Sequence, residues 1–348
     1  MLRTLFKFEL KKLFCTRVNM IALAASAVLL VLFAVSSIYE ARPVSREAAS
    51  ALNGREIDER LIDEMRPALQ YVSGRTVFEG TGEYEKYAPV MDVFDGMITA
   101  IDRDIDLTGI QGSTLYDLRI RMLSQRLESQ GLSDKEKAFW YSMEEQVEKP
   151  FVYRYHRGTA MLLRAFQALG FFILFLSAIG LSGSYARETA DGMNQLLLCS
   201  RYGKRQLCVL KLAAGFIWIL AAAFTVFLSV LIPYFGAYGS EGMREMLQLV
   251  KPMSMLPYSI GHMLAVYLGI YLLAAVLFAA VTMLLSVVTQ NQAATTCGLM
   301  GYLLIDLFLE IPDRCAFLQK IWLLRPNVVL MNSGFSNYRL VRLAGREL

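Results

Sequence analysis

Two histidines, His156 and His262, are all that the 348 residues contain, and no HExxH or Cys/His cluster at metal spacing accompanies them. That argues against a zinc centre. The five cysteines (Cys15, Cys199, Cys208, Cys297, Cys315) include no CxxC pair, and none falls between residues 39 and 160, so that stretch has no disulfide framework. No GxxxxGK[ST] is present to cradle a nucleotide phosphate, and no GxSxG to present a nucleophile. Leu181-Ser-Gly-Ser184 matches the opening letters of an ATPase signature, but nothing after it continues the motif. Basic residues flank apolar runs and form no separate block, which excludes a nucleic-acid arm.

What the chain has in excess is apolar sequence. Hydrophobic residues make up 55%, with a mean hydropathy of +0.40, above the roughly 45–50% of soluble domains. The excess is concentrated in runs long enough for a hydrocarbon core of about 30 Å, which takes roughly 20 helical residues. The runs predict spans over 19–38, 161–182, 207–234, 258–288 and 293–310. The third is expected to close at Pro233, and the last two are joined only by residues 289–292. Residues 1–18 read as an amphipathic helix lying in the membrane interface, with Leu2, Leu5, Phe6, Leu10, Leu13 and Phe14 set against Arg3, Lys7, Lys11 and Lys12. The run after it is too long for a signal-peptide core, and Ile38-Tyr-Glu-Ala-Arg-Pro43 is a poor cleavage site, so it reads as a retained span.

Residues 39–160 have the charge of an ordinary soluble sequence and predict a helical domain of about 120 residues, large enough for its own core. Ser133 and Glu136 have the capping-box spacing and open a helix expected to reach about Glu148, before Pro150. Thr114–Gln130 is helix-periodic up to Gly131, and Ile57–Val72 and Val90–Ile101 also read as helices. Glu241–Val250, in the 235–257 loop, reads as an amphipathic turn. The fold class expected is therefore all-α: a polytopic helical membrane protein with a helical domain between its first two spans.

Lys and Arg in short loops mark the cytoplasmic side. They gather before the first span (Arg3, Lys7, Lys11, Lys12, Arg17) and between the second and third (Arg187, Arg201, Lys204, Arg205). This places the N-terminus inside and residues 39–160 outside, in a multi-pass protein of the cell membrane. The tail, 311–348, would then lie outside although it is rich in arginine. Either it folds on the outer surface or a sixth span lies beyond it, and the second is the expectation. His156, beside Arg154 and Arg157, reads as a solvated surface residue, and His262 as an interfacial one. Asp306 and Glu310, at the outward end of the fifth span, are possible pathway residues because ionisable groups at membrane depth are costly.

The loop 183–206 and the residues after it, Tyr185–Lys211 (YARETADGMNQLLLCSRYGKRQLCVLK), hold more than a connection needs. Glu188 is followed by Gly192, an apolar patch of Met193 and Leu196–Leu198, a basic cluster, and Lys211 at the start of the third span. An amphipathic piece at the cytoplasmic face suits a helix-in-groove contact with a soluble partner. The segment resembles the cytoplasmic coupling loop of bacterial type-2 ABC exporter permeases. Glu188, Gly192, Leu196, Leu197, Leu198, Ser200, Arg205 and Lys211 match that pattern in order, with Tyr202-Gly203 where the family commonly has a proline. Phe6–Lys12 is similar to the interfacial helix that opens such permeases.

The resemblance implies a transmembrane subunit without a catalytic centre or cofactor of its own, with ATP and Mg bound by a separate ATPase subunit. A second permease subunit, identical or different, would complete the path within the membrane lipid. It also implies that Glu188, Gly192, Met193, Leu197, Arg201 and Arg205 meet the ATPase. A membrane sensor or assembly protein, whose outer domain binds a ligand or partner, is the alternative.

Overall fold

The computed structural model describes residues 2–40, 46–65, 69–72, 75–78, 86–90, 93, 112–193, 205–308, 338, 342–343 and 346–347. In chain order the helices are α1 (Leu2–Phe14), α2 (Arg17–Glu40), α3 (Arg46–Leu52), α4 (Glu59–Met65), α5 (Gly112–Ser129) and α6 (Asp134–Glu144). They continue with α7 (Arg157–Leu181), α8 (Gly183–Ala190), α9 (Arg205–Tyr238), α10 (Ile260–Thr289) and α11 (Gln292–Phe308). Two short antiparallel hairpins are added, β1 (Leu69–Val72) with β2 (Arg75–Phe78), and β3 (Arg342–Leu343) with β4 (Arg346–Glu347). The chain is thus predominantly helical. Among the described residues four helical stretches are long and apolar enough to cross a membrane: Arg17–Tyr39, Arg157–Ala190, Gln206–Tyr238 and Ile260–Thr289. It is a membrane protein with several transmembrane helices. Helix α11 is shorter; its 17 residues rise about 26 Å.

Two compact units divide the chain: Met1–Ser36, Arg164–Tyr234 and Val266–Met331 form one, and Ser37–Leu163, Phe235–Ala265 and Asn332–Leu348 the other. In the first, aromatic rings from different helices fill the interior. Phe166 of α7 lies 5.7 Å from Tyr267 and 6.2 Å from Tyr271 of α10. The Tyr271 hydroxyl donates to Ala223 O of α9 at 3.2 Å, so its polar end is satisfied inside an apolar surround. Helix α2 meets this unit along a narrow stripe, Asn19, Ser26, Leu30 and Ala34, and leaves Ile21, Leu29 and Leu32 exposed. An apolar helix open on most of its circumference is what a lipid-facing span requires.

Sequence periodicity misplaces two ends. Helix α9 does not stop at Pro233 but carries it inside and runs on to Tyr238. The stop is Gly239, whose φ of +78° is the left-handed conformation that ends helices, with its N–H on Phe235 O at 2.9 Å. Proline in a membrane helix is tolerated because neighbours supply the lost bond. The helix expected over Ile57–Val72 is also corrected. Among the described residues of that stretch Glu59–Met65 is helical, and Leu69–Val72 is a strand paired with Arg75–Phe78. Pro67 disfavours helix in the residue before it, and Tyr71, Val72, Thr76, Val77 and Phe78 favour the extended form. Of Val90–Ile101, only residues 90 and 93 are described.

The second unit holds its own core. Ile57, Leu61, Met65, Val90 and Phe151 pack in one cluster, and Leu123, Leu127, Trp140, Met253 and Tyr338 in another. The capping box forms as its spacing predicts: Glu136 N–H donates to Ser133 Oγ, and Ser133 N–H to Glu136 Oε2 at 2.9 Å. Helix α6 nevertheless stops at Glu144 rather than Glu148. Glu241–Val250 forms turns and a single 3-10 turn over Leu247–Leu249. His156 is buried rather than solvated, because the backbone of Gly242 lies against it; Nδ1 is 2.7 Å from Arg154 O.

Arg119, fully buried, organises this unit. Its guanidinium pairs with both carboxylate oxygens of Glu144 and donates to Pro252 O (2.6 Å) and Ser254 O (2.8 Å). Lys149 adds a second cation to Glu144 at 2.8 Å. Removing one partner of a buried pair leaves the other charge uncompensated, at a cost of about 3–5 kcal/mol. Glu144→Ala is therefore expected to lower the melting temperature of the detergent-solubilised protein sharply. Glu64→Ala, which breaks the exposed Arg55–Glu64 pair, is expected to leave it unchanged.

Candidate functional site

Helix α7 ends at Leu181 and α8 begins at Gly183, with Ser182 between them still in helical conformation (φ −58°, ψ −32°). Around this junction neighbouring helices add hydrogen bonds to the backbone of the α7–α8 stretch. Asn19 Nδ2 of α2 reaches Gly180 O at 3.4 Å. Ser286 Oγ of α10 donates to Ser182 O at 2.6 Å and accepts from Tyr185 N–H (3.3 Å) and Ala186 N–H (3.1 Å). Lys211 Nζ of α9 donates to Ser184 O at 3.3 Å. Close packing here depends on Gly180, where a Cβ would fall 2.2 Å from the Trp218 ring. One helical turn earlier, Ser177 and Thr282 share a buried hydrogen bond of 2.9 Å between α7 and α10.

Within α8 stands Glu188. Lys12 Nζ of α1 donates to its Oε1 at 2.8 Å, and Lys211 Nζ of α9 donates to Oε2. The carboxylate side chain is 13% exposed, Lys211 3% and Lys12 35%, so Lys211 is the desolvated partner and Lys12 the rim one. Lys211 also lies over the Tyr185 ring, 4.8 Å from its centre, and the Tyr185 hydroxyl is 3.5 Å from Cys208 Sγ. On the adjacent face Arg187 Nε donates to Gln292 Oε1, at the first residue of α11, at 2.8 Å. The eight residues of α8 and Ser182 before it thus hold side chains from α1, α9, α10 and α11. A displacement of α8 must break or carry along a polar contact to each of them.

Glu9 completes the charge cluster. It is the one acid of α1 and is buried. Burial raises its carboxyl above the ordinary range, opposed by Lys211 and Lys12 and reinforced by Glu188. Two carboxylates and two ammoniums therefore meet where α1, α8 and α9 converge. The joint between α1 and α2 is stapled as well, by Cys15 N–H to Lys11 O (2.8 Å) and Asn19 Nδ2 to Leu13 O (3.0 Å).

Of the residues singled out in the sequence, Glu188 lies at the centre of this arrangement. Gly192 follows α8 with φ +68°, its N–H on Thr189 O at 3.2 Å, and Met193 is exposed beyond it. Arg205 is the first residue of α9 and Asp306 falls in the last turn of α11, with only their backbones described. Leu197, Arg201 and Glu310 lie outside the described residues, as do Leu196, Leu198 and Ser200. The residues that sequence reading passed over are the partners: Lys12, Asn19, Ser286, Gln292 and Glu9. Glu9 carried a signal, as the lone acid on the apolar side of α1, and Thr282 and Ser286 carried another, as hydroxyls four apart in an apolar run.

A raised acid pKa means that the folded state holds its proton longer than the unfolded one, so stability falls as pH rises through the window between the two values. Glu9→Gln is expected to remove that slope. Melting temperatures of variant and parent should diverge as pH rises above the ordinary carboxylate range, with the variant the more stable. In comparisons with family models, curated proteins and solved structures, nothing matches this chain.

Proposed function

We propose that the chain is the transmembrane subunit of an ATP-driven exporter, driven through α8 and the segment after it by a separate ATPase subunit. The observation that carries this reading is the position of α8: one short helix at the end of a span, joined together with Ser182 by polar contacts to α1, α9, α10 and α11. A partner that moves such an element moves the whole set, and coupling requires the partner to grip it differently in its two nucleotide states. Glu188 holds α8 to the bundle. Met193, exposed just beyond, and Leu197 would fill a groove on the ATPase, with Arg201 and Arg205 facing its acidic rim or lipid headgroups. ATP and Mg belong to that partner, and a second permease subunit, identical or different, completes the path.

In this reading the N-terminus is cytoplasmic and residues 39–160 lie outside. The tail is supported on the outer side too. Tyr338 sits in the same unit as Trp140, whose Nε1 donates to Tyr338 O at 2.6 Å, while the Tyr338 hydroxyl donates to Met253 O at 3.0 Å. Residues 309–337 are too few for two further crossings of about 20 residues each. In this reading five spans lie between the N-terminus and Tyr338. A sensor or assembly role draws on one observation, the separate packed core of the unit that contains residues 37–163.

Purification from membranes tests the function. The expected result is an ATPase subunit that accompanies the wild-type chain and is absent from a folded Glu188→Arg, Leu197→Asp double variant. No ATPase in the wild-type sample contradicts the exporter reading and favours the sensor one. For topology, a cysteine at Asn337 in an otherwise cysteine-free chain should react with a membrane-impermeant thiol reagent from outside, whereas one restored at Cys15 should not.

A further inference from the structure

We propose that the exposed face of α1 binds an anionic phospholipid, with Phe8 among the acyl chains and Lys7, Lys11 and Lys12 holding the headgroup phosphate. The charges of this helix are sorted by face. Arg3, Lys7 and Lys11, each four residues from the next and so on one ridge, are exposed, whereas the one acid of α1, Glu9, is buried. The open side of α1 therefore carries cations alone. Among them Phe8 is 64% exposed. Lys7 precedes it, and Lys11 and Lys12, three and four residues on, are its neighbours over the next turn. A ring that reaches apolar chains, with ammonium groups beside it at headgroup level, is the arrangement by which a surface helix holds a charged lipid.

Lys12 serves two sides. Its ammonium carries three N–H donors, and Glu188, at 2.8 Å, is its one acceptor among the described residues. With 35% of the side chain exposed, the remaining donors can meet a phosphate from outside. A headgroup held there touches the same cation that ties α1 to α8. Position brings the lipid within reach as well. Only Cys15 and Thr16 separate α1 from α2, whose first residues leave Val18, Met20 and Ile21 exposed, as Phe14 is at the end of α1. The basic ridge thus ends where a lipid-facing helix begins. A soluble partner could receive Phe8, but a leaflet supplies hydrocarbon and phosphate together at this depth. With the N-terminus cytoplasmic, that leaflet is the anionic one. The inference uses the membrane location and not the exporter reading.

Binding of a fluorescent short-chain phosphatidylglycerol to the detergent-solubilised full chain, followed by anisotropy, tests the proposal, with phosphatidylcholine of the same chain length as the neutral probe. Phosphatidylglycerol is expected to bind saturably, about tenfold or more tighter than phosphatidylcholine. Lys7→Gln with Lys11→Gln is expected to erase that preference; both side chains are exposed, so the fold does not depend on them. Arg121→Gln with Lys135→Gln, which removes two exposed cations from the other unit, should leave it unchanged. Phe8→Ser is expected to weaken binding too. Full affinity in Phe8→Ser would mean a site for free phosphate and overturns the lipid assignment. Equal affinity for the two lipids in the parent, or the same loss in both double variants, overturns the proposal outright. The parent comparison decides even if a variant does not fold. No ATPase is present, so the outcome is independent of whether one co-purifies.

Discussion

The hydrogen bonds that other helices make to the backbone where α7 passes into α8 are the constraint on which the arrangement of the spans depends. In water, unpaired peptide groups would be hydrated at little cost; next to hydrocarbon they must be paired within the protein. Asn19, Lys211 and Ser286 do this from three different helices, and each can do so only if its helix is held at one depth and one rotation. Individual interhelical hydrogen bonds in membranes are modest, about 0.6 kcal/mol on average. The larger quantity is the cost of leaving the backbone unpaired. It is this asymmetry, more than the strength of any one contact, that makes the junction specific.

Glu188 adds a second layer to the same junction. Its two lysines differ in burial, and the physics assigns them different tasks. Lys211, nearly inaccessible, cannot be left without a counter-charge, whereas Lys12 is exposed enough for water to replace Glu188 at small cost. Helix α1 can therefore detach more readily than α9. The Arg119–Glu144 pair in the other unit is buried on both sides and satisfied by backbone carbonyls as well. That network is suited to fixing a fold, while the one at Glu188 is graded from buried to accessible.

Much of the fold was legible because lipid imposes simple rules on sequence. The four long apolar helices could be read from run length, and the start of α6 from Ser133 and Glu136. The misses also have physical reasons. Pro233 was taken as a terminus although membrane helices tolerate proline, and the strand at Leu69–Val72 was hidden behind a helical period that Pro67 cuts short. His156 looked solvated because its neighbours in sequence are arginines, whereas Gly242, far along the chain, covers it. At the site, Glu188 stood out by spacing, but its partners did not. Lys12 was counted as a charge that orients the chain and Lys211 as the last residue of the loop pattern, and a pairing of Glu188 with Lys12 across 176 residues leaves no trace in local pattern.

The central claim is that Glu188 and Lys211 act as one unit that ties α8 to the bundle. A double-mutant cycle with Glu188→Gln and Lys211→Met, read by thermal unfolding in detergent, tests it most directly. The account predicts that the double variant is less destabilised than the sum of the two single changes, by about 1 kcal/mol or more, as for residues in direct contact. Additive effects within about 0.3–0.5 kcal/mol, the range of independent sites, would contradict it.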